Sequence, residues 1–366
     1  MMTQNMKNAV IDNQQDIEGN FVKKEMKAAV THAAGDLKIE NVPVPEIQDN
    51  EVLIQVKACG ICGTDPHIYN GHFPAPMPLI QGHEFSGEVV KVGSAVSSVA
   101  VGDRVTADIN ISCGNCYFCR IGQKLFCENI TQLGVHIDGA FAEYVKAPEN
   151  NVYKLPEGMT WDEGAYIEPL ACVIRGQERA KVGMGDTVAI IGAGPMGLAH
   201  AILAKLNGAG RVIISEMNQT RIQKAKDLGI DVVIDASEKD SVQEVLNLTE
   251  GRGADVVFEV VGSMPTYRQA FQMVRRGGTL VAYGAAPADH TLEIKPFEIY
   301  SKELTIVGSY AGTYGTWVKA IQLISSKRFN PNDIISKTIT LDNLEDGIKE
   351  ADKNKDTIKI LVSVAD

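Results

Sequence analysis

Apolar residues follow two different rhythms along the chain. Through residues 26–160 they form short alternating runs: Met26–Val30, Glu51–Ala58 (EVLIQVKA), Glu88–Val92 and Arg104–Ala107. Turn residues such as Gly87, Gly93 and Gly102-Asp103 separate them. Alternation with period two puts one side of each run on a core and predicts half-buried strands. Pro43, Pro45, Pro74, Pro76 and Pro78 exclude long helices here, because proline lacks an N–H and its ring clashes with the preceding turn. An irregular, mostly β domain is expected.

From about Gly183 the rhythm changes. Thr187–Ile191 (TVAII) and Arg211–Ser215 (RVIIS) are continuous apolar runs of the kind buried on both faces of a parallel sheet. Pro195–Leu206 follows the first as a helix opened by proline, and Thr220–Leu228 follows the second and stops at Gly229. Val232–Ile234, Asp255–Val260, Thr279–Tyr283 and Leu304–Gly308 supply four more strands. Six strands alternating with helices predict an α/β fold built on a doubly wound parallel sheet. Another helix is expected from about Thr316, and β grammar returns at Ile358–Val362.

The 366 residues are enough for two or three domains, and 45% apolar with 22% charged residues is ordinary for a globular chain. Thirty-five basic against 46 acidic residues leave a net charge of −11, which argues against nucleic acid or an anionic membrane surface as partner. No run approaches the ~20 apolar residues that span a bilayer. Residues 1–25 are polar, without the apolar centre of a signal peptide, and a cytoplasmic protein is expected. Of the seven cysteines, four are crowded together, which reads as a metal site sooner than as disulfides in a reducing compartment.

Three constellations carry chemistry. Gly192-Ala193-Gly194-Pro195-Met196-Gly197 joins a strand to a helix, where glycines allow a tight turn and helix N-terminal amides meet a pyrophosphate. Glu216 ends the next strand, 19 residues past Gly197, where a carboxylate takes the adenosine ribose hydroxyls and repels a 2′-phosphate. This favours NAD, and Arg221, five residues on, weakens that preference. Read alone, the loop is also compatible with a packing turn. Cys113, Cys116, Cys119 and Cys127 offer four thiolates within 15 residues, suited to a closed structural zinc site, with an iron–sulfur cluster as the competing reading. The third set is dispersed: Cys62, His83, Glu84 and, far downstream, Glu168. A catalytic zinc needs three protein ligands and one exchangeable position, yet each of these residues taken singly is more often structural.

Together, Gly60–Asp65 (GICGTD), Gly82–Val105 (GHEFSGEVVKVGSAVSSVAVGDRV), the cysteine cluster and the glycine loop resemble the zinc-containing medium-chain dehydrogenase/reductase family, from Met26 to the C-terminus. That resemblance implies a GroES-like β domain holding a catalytic zinc, paired with a Rossmann domain. It divides the chain into a polar extension at 1–25, a discontinuous catalytic domain at 26–175 and 316–366, and a dinucleotide domain at 176–315. It implies one catalytic and one structural zinc, NAD, and a homotetramer or homodimer. Cys62 and His83 match its zinc ligands, with either Glu84 or Glu168 as the third. Glu168 stands where liver-type alcohol dehydrogenases have cysteine, a feature similar to sorbitol and related polyol dehydrogenases. Cys172 is expected to be a buried thiol. Thr64 and His67 match its proton relay, and Val260 and Gly284 join the cofactor-binding set.

The implied activity is reversible oxidation of a secondary hydroxyl of a polyol, sugar or sugar phosphate to a ketone. L-Threonine or 2,3-butanediol dehydrogenation is the nearest alternative, and a non-catalytic dinucleotide-binding protein is the alternative of another class. Loops at Asn70–Met77, Leu133–Ile137 and Tyr310–Tyr314 are expected to shape the substrate pocket.

Overall fold

A computed structural model describes residues 14–15 and 21–364. Most of the expected polar extension at 1–25 therefore lies outside the described residues. Of the part within them, Gln14–Gln15 pairs antiparallel with Phe21–Val22.

The first half is β, as the alternation predicts. A seven-stranded sheet runs in the order Val152–Lys154, Arg104–Ala107, Glu84–Val92, Glu51–Gly60, Lys359–Ser363, Ile335–Thr340, with Tyr144–Pro148 also paired to Glu51–Gly60. A second sheet joins Asp36–Pro43, Glu25–Ala33 and Leu79–Ile80. Their inward residues, among them Val52, Ile54, Val56, Phe85, Val89 and Phe141, form one continuous core. The tail is part of this domain: Leu361 pairs with Gly60, Val362 with Cys59 and Ser363 with Ala58. One strand starts earlier than its apolar run. It begins at Glu84 because the polar residues there are wrapped by other chain segments and are themselves buried.

The second domain is a six-stranded parallel sheet. Its strands are β1 (Thr187–Ile191), β2 (Arg211–Glu216), β3 (Val232–Asp235), β4 (Ala254–Glu259), β5 (Val274–Ala282) and β6 (Thr305–Gly308). Their spatial order is 3-2-1-4-5-6, so the winding reverses between β1 and β4. The reversal leaves a crevice at the strands' carboxyl ends, where ligands bind in such sheets. The central strands are buried on both faces, which is why their sequences are apolar without alternation.

Two helices complicate the expected division of the chain. Ile167–Ala180 runs unbroken across positions 175 and 176, because Leu170, Val173 and Ile174 belong to the same core as Val188 and Ile190 of β1. Tyr314–Ser325 begins before 316, and its Trp317, Ala320 and Ile324 pack into that core, not into the catalytic β domain. The chain rejoins the β domain from Ile335 onward.

Candidate active site

Three of the dispersed set, Cys62, His83 and Glu84, converge in the β domain, and Glu168 approaches them from the helix Ile167–Ala180. Cys62 lies in the loop after the strand Glu51–Gly60, and His83 and Glu84 stand at the start of the neighbouring strand. The pairing of Gly60 with Glu84 brings the two segments together. Potential ligand atoms of Cys62, His83 and Glu84 lie within 4.8 Å of one another. A thiolate, an imidazole and a carboxylate at this separation fit zinc with one position open. Glu168, on the helix Ile167–Ala180, is outside that trio but close enough for the charges of His83 and Glu84 to act on its carboxyl. Burial, with Glu84 adding to it, pushes Glu168 up to about 7, while Cys172 donates to its Oε1 at 3.2 Å.

The surroundings of the trio are strongly charged and largely buried. Burial opposes a charge on His83, but the Cys62 sulfur, Asp65 and Glu168 outweigh it and hold its pKa well above the usual range. Asp65 is fully buried 3.9 Å from His83 Nδ1, and it accepts a 2.7 Å bond from the backbone N–H of Cys62. It therefore fixes the Cys62 loop, while its Oδ1 and His83 Nδ1 face each other without a hydrogen bond. Thr64 Oγ1 lies 3.7 Å from Cys62 Sγ, at the start of the helix Thr64–Tyr69. His67 is exposed one turn further along the same helix, with its ring 6.3 Å from that of His72.

The four cysteines form a separate lobe. Their sulfurs also lie within 4.8 Å of one another, a closed thiolate set that fits a structural zinc. Backbone amides point at them: Cys113 N–H donates to Cys127 Sγ at 3.3 Å, and amides of Cys119 and Glu128 lower Cys116 to about 6.

The glycine loop lies at the crevice of the parallel sheet. Gly192 has φ +101°, a conformation that side chains rarely adopt, and a Cβ on Gly197 would overlap the Gly192 carbonyl oxygen. Pro195 and Met196 open the helix Pro195–Leu206 behind Gly194. Glu216 ends β2 with its carboxylate held by backbone N–H groups of Ala193 (2.8 Å), Met217 (2.8 Å) and Asn218 (3.0 Å). The Arg221 guanidinium lies beside Gly194, its pKa lowered by burial against the opposing pull of Glu216 and Asp356. Val260 follows β4 and packs against Gly192 and Gly197, while Gly284 follows β5.

Comparison with known proteins agrees with this architecture. Residues 48–157 match the alcohol dehydrogenase GroES-like domain, and residues 195–326 match the zinc-binding dehydrogenase family. A sorbitol dehydrogenase of Bacillus subtilis (strain 168) is 35% identical over 349 residues, covering 93% of this chain and 98% of that protein. The chain belongs to the zinc-containing medium-chain dehydrogenase family. An L-threonine 3-dehydrogenase of Rhizobium etli (strain ATCC 51251 / DSM 11541 / JCM 21823 / NBRC 15573 / CFN 42) is 37% identical over 320 residues, 86% of this chain and 91% of that protein. Among solved structures, a zinc-binding dehydrogenase of Sinorhizobium meliloti 1021 bound to NADP superposes with a TM-score of 0.89 at 37% identity, covering 93% of this chain and all of that one. This family member is a dehydrogenase that uses zinc and a nicotinamide dinucleotide.

Two residues of the site escape sequence reasoning. Lys359 is buried at the start of the tail strand, donating to Glu84 Oε2 and, at 2.9 Å, to the carbonyl of Ile61. The only signal in the sequence is a lysine in an otherwise apolar strand. Glu259, fully buried at the end of β4, accepts from the backbone N–H groups of Val261 and Gly262 (both 2.9 Å) and from Thr266 Oγ1 (2.8 Å). It pins the turn that faces the glycine loop, and nothing in its spacing marks it.

Proposed function

We propose that this dehydrogenase reversibly oxidises a secondary hydroxyl of a polyol or sugar-type substrate to the ketone, with NAD as the hydride acceptor. The observation that carries this reading is the convergence of Cys62, His83 and Glu84 within 4.8 Å of one another, with a second carboxylate, Glu168, beside them. Cys62, His83 and Glu84 would hold the catalytic zinc, with Glu168 beside them. The cysteine lobe would hold a second zinc.

Bound zinc supplies a Lewis acid that stabilises a substrate alkoxide near neutral pH, and the nicotinamide supplies the hydride acceptor. The chain does the rest. Thr64, beside Cys62, accepts the hydroxyl proton as it releases its own, and exposed His67 on the same helix passes a proton to solvent. Asp65 fixes the backbone of the Cys62 loop, and Lys359 holds the Glu84 carboxylate. Glu216 favours NAD, because a fixed carboxylate repels a 2′-phosphate; Arg221 is the feature that works the other way.

L-Threonine and 2,3-butanediol are the alternative substrates within the same chemistry. Relatives named L-threonine 3-dehydrogenase and a structural neighbour named 2R,3R-butanediol dehydrogenase favour keeping them in view. A non-catalytic dinucleotide-binding role has little support, since it gives no reason for the buried trio. The protein is proposed to be cytoplasmic and to assemble as a homodimer or homotetramer. Edge strand β6 supports assembly: Ile306 is exposed on it, with Phe297 and Tyr300 exposed on the preceding helix. No helix among the described residues is long and apolar enough to cross a membrane.

The test is the initial rate of nicotinamide reduction with sorbitol, xylitol, ribitol, arabitol, galactitol, sugar phosphates, 2,3-butanediol and L-threonine, each with and without a zinc chelator. Chelator-sensitive oxidation of a polyol supports the proposal. Oxidation of threonine alone would keep the chemistry and overturn the substrate.

A further inference from the structure

The end of β2 is touched by the other domain. Asp356 lies in the turn between the helix Leu344–Lys353 and the tail strand Lys359–Ser363, three residues before Lys359. Its Oδ1 accepts from Asn218 Nδ2 at 2.8 Å and from Thr220 Oγ1 at 2.9 Å. Both donors lie within four residues after Glu216, at the start of the helix Gln219–Asp227. These two bonds hold the Asp356 carboxyl below the usual range, so it is ionised at neutral pH. The turn is itself fixed, because Asn354 Oδ1 accepts from the Asp356 backbone N–H at 3.0 Å. Its neighbouring cation does not cover the carboxylate: Lys355 Nζ is bent back to the carbonyl of Asp352 at 2.6 Å.

Asn218 is the hub of this arrangement. Its backbone N–H donates to Glu216 Oε1 at 3.0 Å, its Oδ1 accepts from the backbone N–H of Arg221 at 3.0 Å, and its Nδ2 holds Asp356. Those partners decide the amide's orientation, since a backbone N–H only donates and an ionised carboxylate only accepts. One residue therefore joins two carboxylates, and the oxygens it holds are at most roughly 11 Å apart. Both carboxylates act on the Arg221 guanidinium, which lies beside Gly194 of the glycine loop.

We propose that Asp356 is a specificity-determining residue for the dinucleotide, a second carboxylate supplied from the β domain that opposes a 2′-phosphate at the adenosine end. This rests on the reading of Glu216 as the ribose carboxylate. An arginine near that position is what accommodates a 2′-phosphate. Asp356 offsets the attraction of Arg221 for such a phosphate without touching the nucleotide. It is exposed, so its field is screened and its effect is modest. A ribose with a free 2′-hydroxyl carries no charge there and is indifferent to it.

Nucleotide binding, read by fluorescence titration without substrate, tests the assignment. Asp356→Asn keeps an oxygen for both bonds and removes only the charge. The ratio of the Kd for NADPH to that for NADH should fall roughly threefold at low salt, and in Asp356→Lys roughly tenfold. A structural role gives no such order with charge. A ratio that stays at the wild-type value in both variants overturns the proposal. So does an equal loss of affinity for both nucleotides, because Asp356 would then only brace the two domains. Glu216→Ala separates this failure from that of the underlying reading. If Glu216→Ala shifts the ratio and the Asp356 variants do not, the assignment of Asp356 alone falls. If neither position shifts it, the ribose reading of Glu216 falls and takes this proposal with it.

Discussion

The cysteine lobe and the Cys62–His83–Glu84 trio gather their candidate metal ligands in opposite ways. In the lobe, four like groups come from one short segment, and the nearest polar partners of the sulfurs are that segment's own amides. In the trio, three unlike groups come from two segments, and groups from further elements surround them: Glu168 from a helix and Lys359 from the tail strand. The lobe offers four thiolates, a closed set for zinc, whereas the trio offers three ligands and would leave a fourth position to an exchangeable oxygen. A closed site can be built locally because it has only to hold an ion. An open site must also exclude water, tune charge and meet a second domain, and no short segment can do all three.

The first way to break this comparison is to damage each region in turn. Cys62→Ser is expected to lower kcat/KM by roughly a thousandfold or more, since the Lewis acid contributes several kcal/mol to the transition state. Dinucleotide affinity, measured by fluorescence titration, should stay within about twofold of wild type; parallel loss of cofactor binding would place Cys62 elsewhere in the machinery. Lys359→Met comes next. It leaves the Glu84 carboxylate buried without its cation, and about 3–5 kcal/mol of stability should be lost in denaturant unfolding. A loss under 1 kcal/mol would mean that Glu84 finds another partner.

Cys113→Ser sharpens the contrast from the other side. Bound zinc measured by atomic absorption should fall from two ions to one per chain, with a lower Tm and only secondary changes in kcat. A collapse of kcat at normal Tm would mean that the lobe is no mere scaffold. Smallest is Glu216→Ala, which should narrow the NAD/NADP preference in kcat/KM by about tenfold, since ribose bonds and phosphate repulsion are both lost. An unchanged ratio would contradict its role.

The same contrast accounts for what the sequence reveals. The parallel sheet is legible because its strands are buried on both faces, so TVAII and RVIIS announce themselves. The lobe is legible because its spacing is local. The site around the trio is only half legible: Cys62 and His83 sit in distinctive segments, but residue types and spacing do not separate Glu84 from Glu168. Their difference lies in tertiary placement, which puts Glu84 in the trio and Glu168 beside Cys172. Lys359 and Glu259 were beyond reach for the same reason. Each is an ordinary charged residue in an apolar strand until its partners are known. The helix Ile167–Ala180 obscures the domain boundary because its apolar face serves the sheet core while Glu168 approaches the trio.

The tail strand has a consequence for biosynthesis. The lobe has all its ligands once Cys127 leaves the ribosome, but the trio waits for Lys359, some 230 residues later. At cellular rates of translation the interval is roughly ten to fifty seconds. Throughout it the nascent chain carries Cys62, His83 and Glu84 without the strand that seals them. The lobe could therefore take up an ion during synthesis, whereas the trio reaches its final setting only after the strand has closed.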